Sequence, residues 1–123
     1  MTLVNRLVRG IRGATFIEKN EVESIIRGTK ELLVEMVERN NICTEDICSV
    51  LFTSTLDLNA AFPALAARKL GWKYVPMLCS VEIDVPDSLR QCVRVLMQVN
   101  TCLEQHQIKH VYLKEAKKLR DDL

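Results

Sequence analysis

The sequence predicts an α+β fold, a mixed β-sheet with its helices on one face. Three observations carry this. A one-sided helical pattern lies between Asn20 and Asn41, and a strongly alternating strand pattern runs from Gln91 to Asn100. The order of elements is strand, helix, strand, helix and then several strands, which places the helices to one side of a sheet. At 123 residues the chain reads as one domain, residues 1–123.

The first strand spans Leu7 to Ile17 and contains Gly10 and Gly13 in the run RGIRGAT. Glycine inside a strand marks a bulge or a close backbone approach. Arg12 shares its parity with Val8, so it projects either to solvent or into a pocket. The first helix follows. Asn20 is its expected N-cap, with Glu23 completing a capping-box pattern. Val22, Ile25, Ile26, Leu32, Leu33, Met36 and Val37 recur at helical spacing, and Ser24, Arg27, Glu31, Glu35 and Glu38 form the polar face. Asn40 and Asn41 suit its end.

Ser49 to Thr55 is rich in β-formers and reads as the second strand. Pro63 suits the first turn of a second, alanine-rich helix that stops near Gly71. Arg68 falls in its last turn, where the helix dipole favours a cation. A strand is expected around Tyr74 to Val81, followed by Glu82 and Asp84. In the strand Gln91 to Asn100, Val93, Val95, Met97 and Val99 point one way. Cys92, Arg94, Leu96 and Gln98 point the other. An arginine in such a strand, if buried, needs an anionic partner. Glu82, Asp84 or a ligand carrying carboxylates all qualify. A last strand spans Ile108 to Leu113, and the charged tail Lys114 to Leu123 is expected to be partly mobile. Two helices cannot cover both faces of about five strands, so an oligomer is expected.

Composition excludes several function classes. Hydrophobic residues make up 48%, against a disordered chain. With 17 basic and 16 acidic residues the net charge is +1, which gives no overall pull toward nucleic acid or anionic membrane. No apolar run approaches the roughly 20 residues that span a bilayer, and no secretory leader is visible. Five cysteines, an odd number, and no leader favour free thiols in a reducing cytoplasm. No CxxC pair points to zinc. His106 and His110 are four apart, but they fall in a strand-like segment without supporting carboxylates. No metal and no cofactor are expected.

The residues that carry chemistry are Arg12, Glu82, Arg94 and Tyr112, with Arg68 as a further candidate. No nucleophile–base pair or glycine-rich phosphate loop is present. Arginines, a carboxylate and a tyrosine suit a small dianion with hydroxyl or ether oxygens. Six runs in order sharpen this: RGIRGAT (Arg9 to Thr15), AAFPA (Ala60 to Ala64), GWKYVP (Gly71 to Pro76), CSVEIDV (Cys79 to Val85), CVRVLM (Cys92 to Met97) and HVYL (His110 to Leu113). In these the chain resembles the monofunctional, trimeric chorismate mutases of bacteria over nearly its whole length.

The resemblance implies rearrangement of chorismate to prephenate on the way to phenylalanine and tyrosine, without a cofactor. It implies a homotrimer around a pseudo α/β-barrel with one site at each subunit interface. By position, Arg12 binds a substrate carboxylate with help from Tyr112. Arg94 donates to the ether oxygen of the breaking bond. Glu82 accepts from the ring hydroxyl, with Leu78 and Cys79 close by. Phe62 and Arg68 neighbour the pocket, and Leu119 and Arg120 belong to a C-terminal segment that helps cover it. Departures from the family pattern are Leu65 in place of a frequent lysine, Leu78 in place of a small polar residue, one residue fewer before Gly71, and a short tail after Arg120. Two rival readings of the same residues are a trimeric imine deaminase of the reactive-intermediate type and a binding module without activity.

Overall fold

A computed structural model describes residues 6–122, with side chains described for residues 6–119. Five strands form one mixed sheet: β1 (Leu7–Phe16), β2 (Ile47–Ser54), β3 (Met77–Val81), β4 (Cys92–Thr101) and β5 (Val111–Leu113). The strand order is β3-β2-β4-β1-β5. β4 is the centre and runs antiparallel to both β1 and β2, while β3 and β5 join the edges in parallel. Helix α1 (Val22–Arg39) and helix α2 (Ala64–Lys69) lie on one face, as the α+β reading expects.

The alternation of β4 is realised residue by residue. Val93, Val95, Met97 and Val99 are buried with Ile11, Phe52, Leu32, Leu33 and Met36 in the core between sheet and helices. Their neighbours Arg94, Leu96 and Gln98 face away from it. Gly13 explains how closely α1 approaches β1. A Cβ there would stand 2.5 Å from Met36 Sδ and 3.1 Å from Leu32 Cδ1, so a side chain would force the Met36 and Leu32 side chains to repack. Helix α2 ends as its sequence demands. Gly71 takes φ +88°, and Trp72 N–H donates to Ala67 O (3.1 Å) while Gly71 N–H donates to Arg68 O (3.0 Å), which satisfies the last carbonyls.

Three expectations are corrected. Asn20 does not cap α1. Glu21 holds that position without a side-chain cap bond, and Asn20 instead ties the loop after β2. Its carboxamide oxygen accepts from Asn59 N–H and Ala60 N–H (3.0 Å each), and its nitrogen donates to Asn59 Oδ1 (2.8 Å). Three long-range bonds outweigh the one a cap would offer. The third strand starts at Met77, not Tyr74, because Pro76 has no N–H to give a ladder and Tyr74 is 88% exposed. The last strand keeps only Val111–Leu113 of the span from Ile108. The segment Lys114–Asp122 winds as a 3-10 helix, with Ala116 fully buried beside Ala14, Cys92 and Tyr112.

Candidate active site

The sheet face turned away from the helices carries most of the candidate side chains. In one row across it, Thr53 pairs with Arg94, Arg94 with Ala14, and Ala14 with Tyr112. The next row holds Leu51, Leu96 and Arg12. Paired residues in a ladder project to the same side, so Arg12 and Arg94 are diagonal neighbours. Ala14, small and central, leaves room between them. The result is a cavity of about 220 Å³, lined among others by Arg12, Thr53, Glu82, Arg94, Tyr112 and Leu119.

Glu82 reaches this cavity because strand pairing is extended by one step beyond β3. Its N–H donates to Ser54 O at 2.9 Å. It then shares the parity of Ser80, the partner of Thr53. Its carboxylate accepts a hydrogen bond from the Thr53 hydroxyl through Oε2, and Oε1 lies 3.6 Å from Arg94 Nε. The partner of Arg94 left open by the sequence is therefore Glu82. Asp84 pairs with Arg90 instead. Arg94 is not buried in the single chain: its side chain is 48% exposed.

Tyr112 is buried in a small second cluster with Ala14, Cys92 and Ala116, against which Leu119 packs. Burial pushes the Cys92 thiol up to about 11, with Arg94 pulling the other way more weakly. Cys92 thus stays a neutral thiol at physiological pH and is no nucleophile. Beside β5, His110 takes over the role of a strand residue. Its Nδ1 accepts the Arg12 N–H at 2.9 Å, which fixes the backbone that carries the Arg12 side chain.

His110 is held neutral, its pKa lowered from 6.5 first by burial and then by the charge of Arg12. The sign of the linkage follows. With a folded value below the unfolded one, the contribution is complete above about pH 6.5 and is lost as pH falls through the folded value. At fixed protein concentration, the denaturant midpoint should therefore drop from pH 8 to pH 5 by less in His110→Ala than in the wild type. An equal drop in both would show that His110 does not carry the effect.

The structure brings Arg12, Glu82, Arg94, Tyr112 and Leu119 into one cavity. Leu78 lies on the same face of the sheet, paired with Leu51, but outside that cavity and 73% exposed. Cys79 pairs with Phe52 and so points to the helix side. There it lines a second cavity of about 380 Å³ with Phe62, which is 75% exposed. Arg68 is exposed in the last turn of α2. The side chain of Arg120 lies outside the described residues. Thr53, Leu51 and Leu96 also line the cavity. The sequence marked Thr53 only as a strand former, and its parity with Ser80 becomes informative once β2 and β3 are paired. Among the described residues no group of three or more His, Cys, Asp or Glu is placed to hold a metal, and no helix is long and apolar enough to cross a membrane.

A profile described as chorismate mutase type I matches residues 8–123. The chain belongs to the type I chorismate mutase family. It is 48% identical over 118 residues to chorismate mutase AroH of Bacillus subtilis, covering 95% of this chain and 93% of that protein. It is also 48% identical to chorismate mutase AroH of Thermus thermophilus, covering 95% and 97% respectively. A solved chorismate mutase from Clostridium thermocellum superposes with a TM-score of 0.88 at 50% identity, over 89% of this chain and 97% of that one. Membership in the type I chorismate mutases sets aside the imine-deaminase reading.

Proposed function

We propose that the cavity between β2, β4, β1 and β5 is the active site, and that Arg12, Glu82, Arg94 and Tyr112 carry the reaction. The protein is a chorismate mutase, an isomerase of aromatic amino-acid biosynthesis that converts chorismate to prephenate. The observation that carries the site is the meeting of these four side chains in one cavity of a chain from this family. Among the described lining residues, two guanidinium groups and one carboxylate offer the charges that would suit a dianion bearing a hydroxyl.

The reaction is pericyclic: one C–O bond breaks as one C–C bond forms within a single molecule. No proton, nucleophile or cofactor takes part, so the protein acts by shape and by fixed charge. Arg12, assisted by the Tyr112 hydroxyl, holds one carboxylate and with it the enolpyruvyl arm over the ring, which supplies part of the orientational cost. Arg94 places a permanent cation where the ether oxygen becomes negative, an interaction that strengthens in the transition state. Glu82 accepts from the ring hydroxyl and fixes the ring. Leu119 closes the cavity from the 3-10 tail.

This site is completed by a second copy of the chain in a homotrimer built around a pseudo α/β-barrel. Two features support that reading. The open sheet face exposes Val8 (57%), Leu51 (39%), Leu78 (73%) and Leu96 (40%), a patch that a neighbouring subunit would cover. The cavity of about 220 Å³ also falls below the roughly 300–1,000 Å³ of usual ligand pockets, so one chain builds only part of the wall. Phe62, Arg68, Leu78 and Cys79, which stand outside the cavity of their own chain, are then contributed across the interface. The chain works as a single domain, residues 1–123, in the cytoplasm, where its five free thiols, two of them exposed, persist.

A crystal structure with a bicyclic ether dianion that mimics the transition state tests the site. One carboxylate should rest on Arg12 and Tyr112, the ether oxygen on Arg94, and the hydroxyl on Glu82. A mimic seated in the Phe62 and Cys79 cavity, away from Arg94, would refute the assignment.

A further inference from the structure

We infer that Thr53 is a positioning residue that keeps Glu82 from closing onto Arg94 and so keeps Arg94 available to the substrate. The inference rests on the proposed site and adds to it. Glu82 and Arg94 carry opposite charges in the same cavity. Left to themselves they would form a bidentate pair with N···O distances of about 2.7–2.9 Å. Such a pair would occupy the guanidinium fork that the ether oxygen needs. In the structure the Arg94 Nε to Glu82 Oε1 distance is 3.6 Å instead.

The reason lies on β2. Thr53 stands directly opposite Arg94 in the β2–β4 ladder and directly opposite Ser80 in the β2–β3 ladder. Glu82, two residues after Ser80, folds back over it with its backbone pinned to Ser54 O at 2.9 Å. The Thr53 hydroxyl donates to Oε2. This bond binds one carboxylate oxygen to the strand and turns the other toward Arg94 without letting it reach the fork. A threonine is suited to the task, because its β-branched side chain in a strand has few χ1 choices and aims the hydroxyl in a fixed direction.

The test compares variants of the whole protein on chorismate. Thr53→Val keeps the shape and removes the donor, and Thr53→Ser keeps the donor. A hydrogen bond to a charged group is worth about 10- to 100-fold, so Thr53→Val should lose about that factor in kcat with KM little changed. A loss confined to kcat is the mark of an interaction made in the transition state. Thr53→Ser should stay within about threefold of the wild type. In a Glu82→Gln background, where no anion can close on Arg94, Thr53→Val should add less than about twofold. Thr53→Ala serves as the donor-free variant should the valine misfold. Turnover by the wild type with an unimpaired Thr53→Val, or with an undiminished loss in the Glu82→Gln background, would overturn the inference alone. Absence of turnover in the wild type would overturn the proposed function and the inference with it.

Discussion

Arg94→Ala is expected to lose roughly 10²–10³ in kcat, corresponding to about 3–4 kcal/mol of transition-state stabilisation, while the fold and assembly survive. The size follows from the chemistry. In a rearrangement without proton transfer, the developing charge on the ether oxygen is the main quantity the protein can act on. Arg94 is the cation that the β4 alternation directs into the cavity, in the row of Ala14 and Tyr112. Folding should tolerate the change, because the Arg94 side chain is 48% exposed and its pair with Glu82 is long, at 3.6 Å. Arg94→Lys should recover only part of the loss, since a point charge on a flexible stem does not reproduce a planar fork. Steady-state kinetics with the oligomer mass measured alongside decide it. Near-normal kcat in a well-folded Arg94→Ala would remove Arg94 from its role.

Leu78→Asp is expected to dissociate the assembly. Leu78 is 73% exposed on the open sheet face, and it pairs with Leu51 next to Leu96. In the proposed trimer that face is covered. The substitution then buries one unpaired carboxylate per subunit, each costing several kcal/mol. In a single chain the same change is a solvated surface charge with an effect on stability within about 0.5 kcal/mol. Light scattering on wild type and variant separates the two cases. Monomers that keep their secondary structure and lose turnover are the expected result. An intact trimer would show that Leu78 lies away from the interface.

Much of this was legible in the sequence because strand parity and helix periodicity report faces directly. The β4 run fixes which side of the sheet holds Arg94, and the one-sided pattern of α1 fixes which side is covered. RGIRGAT gives Arg12 only the parity of Val8, and it is the β1–β4 register that puts it on the same side as Arg94, while Gly13 lets α1 seat behind it. What parity cannot report is pairing between strands distant in sequence. The row Thr53, Arg94, Ala14 and Tyr112 draws on four strands, and none of its spacings is visible along the chain. For the same reason Asn20 looked like a cap when its partners are 39 and 40 residues away. His110, four residues from His106, looked like a metal spacing, yet it serves as the acceptor for Arg12 N–H. In the tail, the charged composition hid Ala116 and Leu119, which pack with Tyr112 and Cys92.

The most direct single measurement is the loss of chorismate absorbance with purified protein, with the product identified by NMR and Arg94→Ala run beside the wild type. Conversion to prephenate by the wild type, slowed by roughly 10²–10³ in the variant, is the expected result. A well-folded wild type that leaves chorismate unchanged would contradict the assigned reaction and favour a binding module that kept the pocket without the activity.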